Sequence, residues 1–127
     1  LTSAKQLFFP GHHYHNIPLN KNVQVYEING PMLFGAAERA VAALSEEKND
    51  IDTLIFILED VPVIDYSGLV ALETAVSEFR NNKGNEKNKV ILVGLQTQPK
   101  ELFVRSKFFE KFKVEISESL EEALKLP

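Results

Sequence analysis

Apolar residues recur along the chain with two different spacings. Residues 23–28 (VQVYEI) are rich in β-branched and aromatic side chains and end at an Asn-Gly-Pro turn, a pattern typical of a strand. From Phe34 to Leu44 the apolar residues recur three and four positions apart, which predicts a helix that ends in the polar stretch 46–50. This part of the chain is therefore predicted to form a first strand–helix unit.

Strands and helices continue to alternate after this unit. Residues 53–58 (TLIFIL) and 90–95 (VILVGL) are uninterrupted apolar runs, as expected for strands that are covered on both faces. A short last strand is predicted at residues 114–116. The next predicted helix begins near Ser67, which is interpreted as its N-cap. Another begins at Pro99, because proline suits a first helical position, and runs to about Phe112. The last begins after a capping box at Ser119 and places Leu120, Ala123 and Leu124 on its inner side.

This order predicts the α/β class. Parallel neighbouring strands need a connection about as long as a helix, so alternation favours one domain with a mixed or mostly parallel sheet. We expect about four to five strands with about four helices packed on them. Residues 1–22 show no sustained period and are predicted to be a lead-in or linker with an edge strand, followed by the domain at residues 23–127.

Composition narrows the function. The 127 residues suffice for one hydrophobic core, and the net charge of −4 disfavours a nucleic-acid binder. The absence of cysteine excludes disulfides and thiolate metal sites. No apolar run approaches the length of a membrane span, which predicts a soluble segment. Because the chain begins at Leu1 and its single methionine is Met32, we expect it to be a piece of a longer reading frame.

The most informative turn is residues 65–68 (DYSG), directly after an apolar strand and before a helix. Open α/β sheets place functional groups at this position. Spacing alone favours Ser67 as an N-cap. The alternative is a phosphoacceptor, because the free N–H groups of a first helical turn stabilise a phosphate; Asp65 would then bind a kinase's metal or repel the added charge.

This turn, extended to Leu69, resembles the signature of the STAS domain. That fold is shared by bacterial anti-anti-sigma factors and by the cytosolic C-terminal domains of SulP-type sulfate and anion transporters. Residues 25–37 (VYEINGPMLFGAA) and 61–65 (VPVID) are similar to the transporter branch, and the short connection 46–52 is similar to its bacterial members. The resemblance extends over roughly residues 12–126.

The resemblance implies a regulatory and interaction domain of a bacterial inorganic anion permease, without catalysis or cofactor, at the cytoplasmic face of the inner membrane. The implied partners are the transporter's own membrane domain and a cytosolic regulatory protein, with oligomerisation left open. Ser67 is the candidate phosphoacceptor, and the expected interaction surface comprises Asp65, Tyr66, Gly68 and Leu69. The alternative is a free-standing anti-anti-sigma factor switched by phosphorylation of Ser67. A third hypothesis, with less support, is a sensor of a small ligand such as a nucleotide.

Two further groups have candidate chemistry. His12, His13 and His15 would need distant carboxylates to complete a zinc site, so a linker or edge-strand role is favoured over metal binding. Glu59, Asp60 and Asp65 have no histidine nearby in sequence and no glycine-rich phosphate loop, which disfavours an enzyme.

The predicted third helix is basic and aromatic. Four phenylalanines cannot all lie on one helix face, so a membrane surface or an acidic partner is one interpretation of this composition. The favoured interpretation is a core stripe of Leu102, Phe109 and Phe112 with a solvated basic back. The last helix is acidic, so the two helices would polarise the surface. The basic residues are Lys100, Arg105, Lys107, Lys111 and Lys113.

Overall fold

A parallel sheet forms the centre of the molecule. The computed structural model describes residues 5–6, 23–31, 52–83 and 88–125. The described strands follow chain order across the sheet, and each of the four pairings between them is parallel. This arrangement confirms the predicted α/β class. The strands are β1 (Lys5–Gln6), β2 (Val23–Asn29), β3 (Thr53–Asp60), β4 (Lys89–Val93) and β5 (Glu115–Ser117).

Four helices accompany these strands among the described residues. They are α1 (Tyr66–Lys83), α2 (Thr97–Arg105), α3 (Phe108–Phe112) and α4 (Leu120–Lys125). The helix predicted from Phe34 to Leu44 lies outside the described residues, as do the three histidines. Within the predicted lead-in, Lys5 pairs with Tyr26 at the edge of the sheet, and the domain boundary after residue 22 stays a prediction.

The central strand β3 is covered on both faces, as its unbroken apolar run predicts. Leu54, Phe56 and Leu58 lie in a core cluster with residues of α1, α2 and α3. Ile55 and Ile57 point to the other face, in a second cluster with Leu120 and Ala123 of α4. Alternate residues of a strand point to opposite faces, so the sheet separates α1–α3 from α4.

The single helix predicted from Pro99 to Phe112 is wrong, because the chain forms two helices there. Pro99 is the third residue of α2, and the break lies at Lys107, whose φ of 59° is left-handed. Residues five apart point about 140° apart around one helix, so a continuous helix would turn the Phe103 and Phe108 rings away from each other. The break brings these two rings to a centroid separation of 4.7 Å.

The aromatic core therefore differs from the predicted stripe. Phe103 and Phe108 are fully buried, whereas Leu102, Phe109 and Phe112 are half-buried and pack against them. All five basic residues of this region are exposed, as expected for the solvated side.

The last helix begins as its capping pattern predicts. The Ser119 hydroxyl accepts a hydrogen bond from the Glu122 amide at 3.1 Å, which caps the first turn. Leu120 and Ala123 are buried as predicted, but Leu124 is 38% exposed. The inner position predicted for Leu124 is wrong because this six-residue helix turns only its Leu120 and Ala123 side to the sheet.

Arg80 of α1 links the helix layer to two connections. Its guanidinium donates to the Asn88 carbonyl at 2.7 Å and to the Lys113 carbonyl at 3.0 Å. Burial lowers the pKa of Arg80, and the nearby charge of Glu115 opposes that shift. The position of α1 is thus fixed relative to the start of β4 and the end of α3.

Candidate functional site

The segment between β3 and α1 is held in place by a side chain from α2. The Ile64 amide donates to Gln98 Oε1 at 2.9 Å, and Gln98 Nε2 donates to the Ile64 carbonyl at 3.1 Å. Both main-chain groups of Ile64 are therefore satisfied by one amide side chain. This two-point contact fixes the direction in which the chain enters α1.

Asp65 caps α1. Its Oδ1 accepts a hydrogen bond from the Gly68 amide at 2.8 Å, and its carbonyl accepts one from the Leu69 amide at 2.9 Å. This is the N-cap geometry, in which a side-chain oxygen satisfies an unpaired donor of the first turn. The predicted N-cap at Ser67 is wrong, because the helix begins at Tyr66 and Ser67 lies within its first turn.

Ser67 occupies the second position of α1 and is half-buried. Its side chain forms no hydrogen bond with another residue of the described ranges. The amides of a first helical turn attract negative charge, but the Asp65 carboxylate already lies at this helix end. A phosphate on Ser67 would therefore meet both an attractive helix terminus and a repulsive neighbour.

The other predicted surface residues separate into two groups. Tyr66 is 75% exposed, while Gly68 is buried and Leu69 is 3% exposed within the core cluster. The Leu69 side chain is therefore not available to a partner, contrary to expectation. Its burial holds α1 on the sheet beneath the exposed tyrosine.

Two residues that the sequence analysis did not single out extend the exposed surface around Tyr66. Val63 is 41% exposed in the preceding connection, and Val70 is 39% exposed one helical turn after Tyr66. Residues four apart lie on the same helix face, so Tyr66 and Val70 are neighbours. We call Val63, Tyr66 and Val70 the Tyr66 surface.

The adjacent strand ends are closely packed. Gly94, at the end of β4, has a φ of 73°, and a Cβ there would collide with Cγ of Glu59. Gln96 Nε2 donates to the Glu59 carbonyl at 2.7 Å. In the described parts of the chain, no three His, Cys, Asp or Glu side chains are grouped to hold a metal ion. The contacts of Gly94 and Gln96 with Glu59 fix the ends of β3 and β4 relative to each other.

No helix in the described ranges has the length and apolar character needed to cross a membrane.

Comparison with known families assigns the chain to one of them. The model of the STAS domain matches residues 14–123, so the chain belongs to the STAS domain family. Residues 65–69, which carried the resemblance in the sequence, lie within that match.

Two curated relatives are transporters by name. YvdB of Bacillus subtilis, named provisionally as a sulfate transporter, is 32% identical over 91 residues, which are 71% of this chain and 16% of the relative. The bicarbonate transporter BicA of a Picosynechococcus species is 31% identical over 104 residues, 81% of this chain and 18% of the relative. The chain thus matches less than a fifth of the length of either relative.

Solved structures show the same fold. A sulfate transporter family protein from Wolinella succinogenes is 28% identical, with a TM-score of 0.68 over 84% of this chain and 85% of that one. The anti-sigma factor antagonist SpoIIAA in its unphosphorylated form gives a TM-score of 0.62 over 84% of this chain and 88% of that one. At 18% identity, the likeness to SpoIIAA shows the fold alone.

Proposed function

We propose that this chain is the regulatory and interaction domain of a bacterial SulP-type inorganic anion transporter, at the cytoplasmic face of the inner membrane and without catalysis of its own. The observation that carries the proposal is the STAS family match together with two relatives named for anion transport. Those two names mention sulfate and bicarbonate, so the proposed substrate class is a small oxyanion.

The Tyr66 surface is the proposed contact of this domain with its partner. One exposed tyrosine and two exposed valines present apolar area and one hydroxyl near the start of α1, where Asp65 caps the helix and Gln98 binds Ile64. A surface that is already ordered loses little conformational entropy on binding. The proposed partner is the transporter's own membrane domain, with a cytosolic regulatory protein as a second partner.

Anion uptake by the full-length transporter tests this role. Truncating a central tyrosine of an interface commonly costs about 2 kcal/mol of binding free energy, a roughly thirtyfold loss of affinity. We expect Tyr66→Ala to change sulfate or bicarbonate uptake severalfold at equal abundance in the membrane. The control is Glu121→Gln, an exposed position of α4 on the opposite face of the sheet. Unchanged uptake in Tyr66→Ala would remove the Tyr66 surface from the regulation of transport.

A second candidate function is a free-standing anti-anti-sigma factor. It is favoured by the half-buried Ser67 near the start of α1, with a hydroxyl that has no hydrogen bond within the described ranges. Fractionation of the source cells separates the two functions. An immunoblot band in the membrane fraction several times heavier than 14.3 kDa supports the transporter. A band near 14.3 kDa in the soluble fraction, with a mass gain at Ser67 after incubation with the cognate kinase and ATP, supports the switch.

A further inference from the structure

The two helices between β4 and β5 carry a concentrated positive charge. Residues 97–113 contain five basic and two acidic residues, a local net charge of +3 in a chain whose net charge is −4. All five basic side chains are exposed. We call them the basic surface: Lys100, Arg105, Lys107, Lys111 and Lys113.

A groove with apolar residues lies within this surface. Val104, between Lys100 and Arg105 on the outer side of α2, is 58% exposed. The groove has a volume of about 640 Å³, and its lining combines two cationic side chains, one carboxylate, one hydroxyl and two apolar side chains. Its lining residues are Leu95, Thr97, Lys100, Glu101, Val104 and Arg105.

The acidic residues of α4 lie on the opposite side of the sheet. Glu121 and Glu122 are exposed on α4, and Glu118 is exposed just before it. The core clusters place α2 and α3 on one face of the sheet and α4 on the other. Each helix is about 10 Å thick, so the two charged layers are separated by roughly 20 Å. Because the Debye length is about 10 Å at about 0.1 M salt, the acidic side does not neutralise the basic side.

We propose that the basic surface binds the anionic lipid headgroups of a membrane. The choice of a membrane as the occupant rests on the proposed function, which places the domain beside a bilayer. Long, exposed cationic side chains spread over two helices match a sheet of negative headgroups better than a single small anion. The exposed Val104 adds an apolar group that can lie against the headgroup–acyl boundary.

Vesicle cosedimentation of the 127-residue chain tests the proposal. We compare vesicles of phosphatidylcholine alone with vesicles that contain one quarter phosphatidylglycerol, at low and at high salt. We expect binding to the anionic vesicles only, with a marked loss at high salt. Each basic residue near an anionic bilayer contributes about 1 kcal/mol, which is roughly fivefold in affinity.

A charge-swap variant tests whether vesicle binding depends on the basic surface or on the net charge of the chain. Lys100→Glu and Lys111→Glu combined with Glu118→Lys and Glu121→Lys leave the net charge at −4. We expect at least a roughly twenty-five-fold loss of vesicle affinity. The two Glu→Lys substitutions alone, which leave the basic surface intact, should retain binding. Circular dichroism melts of every variant establish that each remains folded.

The other outcomes overturn the proposal. If the wild-type chain does not bind anionic vesicles at low salt, or if the charge-swap variant binds as well as the wild type, the basic surface is not a lipid site. Capture by polyglutamate without vesicle binding would assign it to an acidic protein instead. None of these results bears on the transporter assignment, which the fractionation and uptake experiments test separately.

Discussion

At the scale of single residues, Asp65 determines how α1 begins. Its carboxylate satisfies the Gly68 amide, and no other side chain among the described residues is seen to cap this helix. The exposed Tyr66 follows immediately, so its backbone is fixed by the cap on one side and by the Gln98 contact with Ile64 on the other. The cap therefore contributes both to stability and to the orientation of the Tyr66 surface.

Removal of the cap should be measurable in the isolated chain. We expect Asp65→Ala to lower the free energy of unfolding by about 1 kcal/mol, the usual contribution of an N-cap side chain. Asp65→Asn retains a side-chain oxygen acceptor and should lose much less. Ser67→Ala should change stability by less than about 0.5 kcal/mol. Urea denaturation measures the free energy of unfolding of all three variants. A larger decrease in Ser67→Ala than in Asp65→Ala would mean that Ser67, and not Asp65, caps the helix.

At the scale of elements, the break between α2 and α3 decides how the aromatic residues pack. Lys107 adopts left-handed geometry, which costs a non-glycine residue about 1–2 kcal/mol. The burial of both Phe103 and Phe108 offsets that cost, because their rings pack against each other inside the core. The unfavourable backbone conformation of Lys107 is thus stabilised by the packing of Phe103 against Phe108.

Glycine at this break should stabilise the chain. Lys107→Gly removes the steric cost of left-handed geometry, although glycine also gains entropy in the unfolded state, so we expect a net stabilisation of about 0.5–1 kcal/mol. Lys107→Val, with a branched β-carbon, should destabilise by at least about 1 kcal/mol. Thermal unfolding ranks the variants. A lower melting temperature for Lys107→Gly than for the wild type would show that the lysine side chain itself stabilises the turn.

Sequence patterns predicted the elements more accurately than the contacts between them. Apolar runs identified β3 and β4, and the capping pattern at Ser119 identified the start of α4, because these signals are local. The contact between Ile64 and Gln98 joins residues 34 positions apart, and no spacing rule reports such a pair. The break at Lys107 escaped prediction for the same reason, since lysine is a common helix residue and the demand for the turn comes from the core.

In the candidate site, too, the sequence predicted local features but not the contacts between distant residues. The motif at residues 65–69 located the turn and its exposed tyrosine, but not which of its side chains caps the helix. Val63 and Val70 join the surface because the fold leaves both side chains exposed, which their apolar character does not predict. Leu69 was predicted to belong to the interaction surface, but its apolar side chain packs in the core.

At the scale of the whole molecule, Arg80 holds together three separate segments. Its guanidinium bonds the carbonyls of Asn88 and Lys113 from within α1. A planar guanidinium can reach both carbonyls at once, whereas an ammonium group cannot reproduce this fork. Loss of the contact leaves the carbonyl of the buried Asn88 without this donor, which is more costly than the contact is favourable.

Substitution of Arg80 should therefore destabilise the entire domain. We expect Arg80→Lys to lower the free energy of unfolding by about 1–2 kcal/mol and Arg80→Met by about 2–3 kcal/mol. Glu78→Gln, an exposed change on the same helix, serves as the control. Chemical denaturation followed by circular dichroism gives the values. Equal stability of the wild type and Arg80→Met would mean that the two carbonyls are satisfied without the arginine.

The match between strand order and chain order has a consequence for synthesis on the ribosome. Each described strand pairs with the strand that precedes it in the chain, from β1 to β5. Proteins are made from the N-terminus at about 5–20 residues per second, so the earlier strands of a domain emerge first. Every new strand of this sheet can therefore dock on a template that has already emerged, without waiting for distant sequence. The nascent domain grows in one direction, and the three residues of β5 are the last to be added to its growing side.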